Sequence, residues 1–134
     1  MFYRYFSSFR SECQQLRKYL LQKYRVEYGG CHCSMCLQKL PHELLDTSHL
    51  KPRYSLHYDE LKNIENVQFF CKMCHSIYDR GYISVNKLGI IESDNKINQY
   101  NLSINKEIGN LYSKYSSNNS HFLDWHYLNI FKKK

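Results

Sequence analysis

The sequence lacks any long apolar run. No stretch approaches the roughly 20 consecutive apolar residues that a helix needs to cross a bilayer, which argues against a membrane-spanning helix. A secretory leader is also missing, because arginines interrupt the aromatic segment MFYRYFSSFR before an apolar stretch can form. We see no internal repeats. We therefore expect an intracellular, cytoplasmic protein with no membrane partner.

Acidic residues are few relative to basic ones. Twelve Asp and Glu stand against 19 Lys and Arg, so the formal net charge is +7, and the isoelectric point is about 9.1. Such an excess of positive charge favours a polyanionic partner, most simply nucleic acid. The length of 134 residues suits one domain, residues 1–134, with a modest core. Small cores often recruit a metal ion or a partner subunit.

Residues 7–26 are predicted to form a helix with one apolar stripe that ends at Gly29 and Gly30. The stripe consists of Phe9, Cys13, Leu16, Leu20 and Tyr24. This helix could pack against a second subunit, or it could cover the core of its own domain.

The rest of the chain mixes short strand and helix patterns, which predicts an α+β fold. Strands are predicted in LLDTSHL and VQFF, a helix in KMCHSIYDR, and a hairpin in YISVNKLGIIES that turns near residues 86–89. A short helix is predicted in YDELKNIE, a loop or poorly packed helix in residues 94–120, and a terminal helix in HFLDWHYLNIFKKK. We divide the domain into an N-terminal helix (1–30), a central core with its hairpin (31–93) and a C-terminal extension (94–134).

Two Cys-x2-Cys pairs, separated by residues 37–70, predict a metal site. In a reducing compartment, closely spaced cysteines indicate metal ligands before disulfides. Four thiolates select zinc and leave no open position for a substrate, so the zinc would be structural. The predicted ligands are Cys33, Cys36, Cys71 and Cys74. Cys31 and His32 could compete as ligands, whereas Cys13 on the apolar helix face is most simply a buried thiol.

A zinc ion held by both pairs would bring DTSHLKPR beside NVQFFCKMCHSIYD. These segments resemble the HNH endonucleases, whose zinc-bearing members read approximately [D/E]H-I-x-P and then N-L-x-x-L-C-x-x-C-H. The resemblance is closest to the branch associated with restriction enzymes, which reads acidic-x-x-H-I-x-P and continues after the second motif into F-D-x-G-x-I-S. It covers residues 33–85 well and residues 121–131 loosely.

The resemblance implies a ββα-metal core, in which two strands and a helix surround one catalytic cation. By position, His49 matches the general base, Asn66 the residue that braces the loop after that base, and His75 the metal-binding His of the helix. Ser48 departs from the family pattern, which commonly has a metal-binding Asp or His there. Asp46 could substitute for it, since alternation along a strand puts positions 46 and 48 on the same side.

Asp79 lies one helical turn after His75 and shares its face, which would complete a site for Mg²⁺ or Mn²⁺. The implied reaction is hydrolysis of DNA phosphodiester bonds to a 5′ phosphate and a 3′ hydroxyl. An imidazole titrates near neutrality and can accept the proton of the attacking water, while the cation relieves charge on the phosphate.

Four basic residues flank this predicted site and could contact phosphates: Lys51, Arg53, Lys72 and Arg80. A double-strand cut needs two active sites, so a homodimer on DNA is a further expectation, with the 9–24 helix or the 121–131 segment as candidate contacts. The alternative function is a zinc-stabilised nucleic-acid-binding module without catalysis. Ser48 is the strongest argument for that alternative.

Overall fold

The computed structural model describes residues 2–100 and 118–133. Its helices are α1 (Phe2–Tyr28), α2 (Lys72–Asp79), α3 (Asn95–Asn98) and α4 (Ser120–His126), the last continued by a π-helical turn, Tyr127–Phe131. Its strands are β1 (Leu45–His49), β2 (Val67–Cys71), β3 (Ile83–Val85) and β4 (Ile91–Ser93). Mixed helices and small antiparallel sheets confirm the α+β prediction.

The central sheet pairs β1 with β2 in antiparallel register, from Leu45 opposite Cys71 to His49 opposite Val67. Every residue of β2 is buried, because helices cover both faces of the sheet. Successive side chains of a strand point to opposite faces. Phe69 accordingly contacts Tyr24 of α1, with ring centroids 4.9 Å apart, while Phe70 contacts Tyr78 of α2 at 5.3 Å.

Helix α1 covers its own domain, as one of the two sequence interpretations expected. Leu16, Leu20 and Tyr24 are buried in the common core. Arg17 ties the helix to β1, since its Nη1 donates to the Leu45 carbonyl and to Thr47 Oγ1 at 3.0 and 3.1 Å. Cys13 is only partly buried. Three side chains of the apolar stripe proposed for a dimer contact thus pack within the chain, while the side chain of Phe9 lies outside the described part.

The short elements mostly follow the sequence prediction. The hairpin of β3 and β4 turns at residues 86–89, where Gly89 has φ +76°. The segment 53–65 forms 3₁₀ turns, Arg53–Ser55, Tyr58–Glu60 and Ile64–Asn66, the last reaching one residue beyond it, rather than a helix in YDELKNIE. Of the predicted loop 94–120, residues 95–98 form α3, while 101–117 lie outside the described residues.

The C-terminal element docks onto the core, as its apolar residues predicted. Phe122 and Leu123 of α4 are fully buried and join the same cluster as the side chains of α1 and the strands. Both segments named for a dimer contact therefore pack much of their apolar surface internally. No helix among the described residues is both long and apolar enough to cross a membrane.

Candidate zinc centre and active-site cavity

The four cysteines of the two Cys-x2-Cys pairs come together at one end of the central sheet. Their sulfur atoms all lie within 4.8 Å of one another, and Cys36 Sγ is 4.0 Å from Cys71 Sγ. A tetrahedral zinc with Zn–S bonds of about 2.3 Å separates its sulfurs by about 3.8 Å. The four thiols therefore have the chemistry and the spacing to hold zinc.

Backbone amides already point at the sulfur atoms of this cluster. Met35 N and Cys36 N each lie 3.4 Å from Cys33 Sγ, and Cys74 N lies 3.5 Å from Cys71 Sγ, the N-cap of α2. Such donors favour the thiolate form that a metal requires. Hydrogen bonds with the thiols of Cys33 and Cys74 lower the pKa of Cys36 below its ordinary value.

The loop around the first cysteine pair contains two features that the sequence left open. Leu37 takes the left-handed conformation, with φ +64°, which lets its amide donate to the Cys33 carbonyl at 2.9 Å. His32 lies against Tyr24 and Tyr28, with ring centroids about 5 Å away from each. Neither Cys31 nor His32 belongs to the cysteine group, so the pairs are the better ligand set.

A separate cavity of about 330 Å³ is lined in part by residues further along α2. Its walls come from the end of β1, from the 3₁₀ turn that follows, from α2 and from the C-terminal element. They are formed by His49, Pro52, Arg53, Tyr54, His75, Asp79 and Ile130. The fold thus brings His49, His75 and Asp79 together, although up to 30 positions separate them in the sequence.

His75 is held between two carboxylates, one at each ring nitrogen. Its Nδ1 lies 2.9 Å from Asp46 Oδ2, and its Nε2 lies 3.0 Å from Asp79 Oδ2. The hydrogen bond with Asp79 is the largest cause that raises the pKa of His75 to about 9, and Asp46 acts in the same direction. The two acidic side chains therefore bond to opposite edges of the His75 ring.

Only one of those edges belongs to the cavity. Asp79 lines it and Asp46 does not. Asp46 also accepts a hydrogen bond from Lys72 Nζ at 2.7 Å. Burial, the largest single influence, raises the pKa of Asp46, but the bonds with Lys72 and His75 together lower it below its ordinary value. Ser48 is fully buried, and its Oγ donates to the Asp46 carbonyl at 3.3 Å.

His49 lies at the end of β1 with one ring nitrogen unsatisfied. Its Nε2 is buried and has no hydrogen-bond partner in the described part of the chain. Burial is the largest cause that lowers the pKa of His49 to about 4, and the charge of Arg53 acts in the same direction. The ring is therefore neutral at neutral pH, and a neutral imidazole can accept a proton.

Asn66 braces the backbone that follows His49. Its Oδ1 accepts from Lys51 N at 2.8 Å, and its Nδ2 donates to the Lys51 carbonyl at 3.1 Å. Its own carbonyl accepts from Leu50 N at 2.8 Å. Asn66 has only 1% of its surface exposed, and both polar atoms of its side chain hydrogen-bond to this loop.

The four basic residues predicted to flank the site differ in how exposed they are and in whether they are already paired with a carboxylate. Lys51 is 7% exposed, bonds to Glu60 at 3.0 Å and lies over the Trp125 ring, so its ammonium already has partners within the fold. Arg53 lines the cavity and pairs with Glu12 at 3.1 Å. Lys72 and Arg80 are exposed, with Lys72 bonded to Asp46.

Sequence reasoning gave no role to His126, which the structure buries completely. Its ring stacks on Tyr78 at 3.6 Å, and its two nitrogens bond to the Tyr78 carbonyl and to Ser84 Oγ at 2.8 and 2.7 Å. The one available signal was the loose resemblance of LDWHYLNIF to a terminal family element, which did not single out this histidine.

Among the His, Cys, Asp and Glu side chains of the described residues, the four cysteines are the sole group of three or more whose ligand atoms lie close enough together to share one metal ion. Asp46, His75 and Asp79 do not converge, because the two carboxylates bond to opposite ring nitrogens. No protein-family model matches the chain, and no curated protein matches it either.

Proposed function

We propose that the protein is a metal-dependent DNA endonuclease of the HNH type, from a restriction, defence or mobile-element system, that hydrolyses phosphodiester bonds. The observation that carries this proposal is the shared cavity. His49, a neutral imidazole with an unsatisfied Nε2, lines the same cavity as the His75–Asp79 pair. A proton acceptor beside a nitrogen and oxygen ligand pair is the combination that metal-assisted hydrolysis requires.

The order of elements supports a ββα-metal core. Antiparallel β1 and β2 are followed at once by α2, with His49 ending the first strand and His75 and Asp79 on the helix. Asn66 hydrogen-bonds the loop behind His49, which agrees with the bracing role implied by the resemblance. The cysteine cluster lies at the start of α2, where a structural zinc would fix the direction of the helix.

The catalytic cation, Mg²⁺ or Mn²⁺, would be held by His75 Nε2 and Asp79. These two ligand atoms are 3.0 Å apart, and neighbouring ligands of an octahedral ion with bonds of about 2.1 Å are also about 3.0 Å apart. Such a cation supplies charge neutralisation to the phosphate and to the leaving 3′ oxygen. Asp46 would not be a ligand beside them, because it bonds to the opposite nitrogen of His75.

The protein's own side chains then have separate tasks. His49 accepts the proton of the attacking water at Nε2, while Asn66 keeps the backbone behind that ring in place. Asp46 accepts a hydrogen bond from Nδ1 of His75, which holds the ring, and binding of the cation would displace the proton on Nε2 so that this nitrogen becomes the ligand atom. Arg53, Lys72 and Arg80 remain as contacts for the DNA backbone, where net positive charge aids binding.

The test is plasmid cleavage in Mg²⁺ or Mn²⁺ by the wild type and two histidine variants. His49→Ala should lower the rate by about 10²- to 10⁴-fold while DNA binding survives, because only the proton acceptor is lost. His42→Ala is the matched control, since it removes a half-exposed imidazole elsewhere on the chain. Equal cutting by all three proteins would disprove the nuclease proposal.

One specific arrangement favours the alternative, a zinc-stabilised nucleic-acid-binding module without catalysis. Both nitrogens of His75 are already paired with carboxylates, and Ser48 is buried where a ligand would be expected. A protein that binds DNA fragments with the same affinity with and without Mn²⁺, and never cuts them, would have this second function.

A dimer on DNA remains part of the proposal for double-strand cleavage. Its contact surface would have to come largely from side chains other than the buried ones of α1 and α4. Sedimentation with and without duplex decides the matter, since a persistent monomer that only nicks one strand contradicts a dimer.

A further inference from the structure

Tyr78 occupies the turn of α2 between the two residues that form the helix side of the cavity, His75 and Asp79. Its side chain is completely buried and does not line the cavity. Its hydroxyl donates to the carbonyl of Leu50 at 2.7 Å, across 28 positions of sequence. Leu50 directly follows His49, so this bond joins the helix that carries His75 to the strand end that carries His49.

The Tyr78 ring is itself held from two sides. The His126 ring lies parallel to it, with centroids 3.6 Å apart and planes within 9°. The Phe70 ring meets it at 66° and 5.3 Å. Rotation of the tyrosine ring is therefore restricted by a strand on one side and by the C-terminal element on the other.

His126 also fixes the backbone of the same residue. The Tyr78 carbonyl can only accept a hydrogen bond, so the His126 Nε2, 2.8 Å away, is the donor. The Nδ1 atom is then an acceptor, and it takes the proton of Ser84 Oγ at 2.7 Å. The neutral ring thus locks α2 to β3 and α4 at Tyr78, next to Asp79.

The backbone of Leu50 and Lys51, the two residues after His49, is held by two different elements. The Leu50 carbonyl is bonded by Tyr78, whereas both backbone groups of Lys51 are bonded by Asn66. Asn66 belongs to the turn before β2 and can fix the loop only relative to the sheet. Tyr78 bonds the loop directly to α2.

We infer that Tyr78 is a positioning residue, whose hydroxyl sets the distance between His49 and the His75–Asp79 pair, with His126 holding it in place. This inference rests on the proposed function. Packing alone does not require the hydroxyl, because a phenylalanine would fill the same buried volume and keep the ring stack. A displacement of about 1 Å between reacting groups can cost on the order of 100-fold in rate.

The experiment compares Tyr78→Phe with Tyr127→Phe. The control removes a tyrosine hydroxyl with an equally short bond, 2.7 Å to Glu92, away from the cavity. For Tyr78→Phe we expect kcat for plasmid cleavage to fall by about 10- to 100-fold with little change in KM, and zinc content to stay unchanged. Tyr127→Phe should cut like the wild type.

A second readout does not depend on cleavage. The ring signals of His49 in NMR spectra should shift or broaden in Tyr78→Phe and stay in place in Tyr127→Phe. If the wild type cuts but Tyr78→Phe has normal kcat and normal His49 signals, the inference fails and the proposed nuclease stands. If the wild type does not cut, the His49 signals alone decide: a change only in Tyr78→Phe supports the positioning contact, and no change overturns it.

Discussion

Two clusters of side chains whose types can bind metal ions share α2, and they differ in almost every physical property. The first, at the N-terminal end, is made of four thiols with three of the four cysteines buried, and its sulfur atoms already converge. The second, further along the helix, combines imidazole and carboxylate groups around a cavity of about 330 Å³, and its ligand atoms pair with one another.

The difference separates a cluster with the geometry of a closed structural zinc site from an open cavity in which we propose catalysis. Closed tetrahedral thiolate sites leave no coordination position for a substrate, and their binding energy contributes to folding. Open sites with nitrogen and oxygen ligands leave room for water and phosphate. Because Cys74 directly precedes His75 in α2, a metal held by the cysteines would also determine where His75 and Asp79 lie.

The largest expected effect comes from breaking the cysteine cluster. Cys74→Ala should abolish stoichiometric zinc and unfold much of the chain, because structural zinc sites contribute on the order of 10 kcal/mol to folding. Metal analysis after dialysis, together with circular dichroism, measures both effects. Cys31→Ala is the matched control, since it removes a cysteine outside the cluster and should keep one zinc per chain. A folded Cys74→Ala protein without zinc would contradict the structural role.

His75→Ala tests the opposite side of the comparison. It should abolish cutting, by at least the roughly 10²- to 10⁴-fold cost of losing a positioned catalytic group, and weaken cation binding while zinc content stays intact. A Mn²⁺ titration of plasmid cleavage measures the loss. His121→Ala, which removes an exposed imidazole, serves as the control. Normal cutting by His75→Ala at low Mn²⁺ means that the ligand assignment is wrong.

The two carboxylates on His75 should respond unequally. Asp79→Asn removes the proposed cation ligand in the cavity, so it should raise the Mn²⁺ concentration needed for cutting more than Asp46→Asn does. Asp46→Asn removes an orienting contact, for which a loss of about 10- to 100-fold in metal affinity or activity is expected. The same Mn²⁺ titration ranks the two variants, and the reverse order would place the cation at Nδ1 with Asp46.

Asn66→Ala should weaken the loop behind His49 without disturbing the cysteine cluster. It leaves the buried amide and carbonyl of Lys51 without partners, and an unsatisfied buried group costs about 1–3 kcal/mol in the free energy of unfolding. Urea denaturation of zinc-loaded protein measures the change. Asn98→Ala, which loses an exposed bond with Ser93, should cost less than about 0.5 kcal/mol. Equal costs would mean that the Asn66 contacts add no stability.

The smallest expected effect is a pH dependence from His126. Burial is the main cause that lowers its pKa from 6.5 to about 4, so the unfolded chain binds the proton more tightly than the folded one. Its contribution to stability is present above the unfolded pKa and is lost as the pH falls towards the folded pKa. From about pH 7 to about pH 5.5 the loss should be about 1 kcal/mol.

The measurement is urea denaturation of the wild type and His126→Gln at both pH values. Protonation of the cysteine thiolates affects both proteins alike and cancels in the difference between them. A wild type and a variant that lose the same stability on acidification would show that His126 is not the group responsible.

The elements around the site follow closely from local sequence patterns. Strands β1 and β2 and helices α1 and α2 were predicted because alternation, the apolar stripe and the glycine stops are short-range signals. The 3₁₀ turns of residues 53–66 were not, since YDELKNIE offers no stripe long enough to choose between helix types. Leu37 was missed for a related reason: nothing in its side chain indicates a positive φ.

The sequence by itself determined the cysteine cluster, because two Cys-x2-Cys pairs restrict the possible geometries so strongly that their convergence could be expected. Only the tertiary structure decided which carboxylate meets which nitrogen of His75: Asp79, in the cavity, lies at Nε2, and Asp46 lies at Nδ1. It likewise decided the burial of Lys51 against Glu60 and the placement of His126 on Tyr78. Alternation along β1 gives the side of the sheet on which Asp46 lies, but which nitrogen it meets depends on how α2 is rotated against that sheet. The rotation of α2 against the sheet is set by packing between residues far apart in the chain, so no local sequence pattern predicts it.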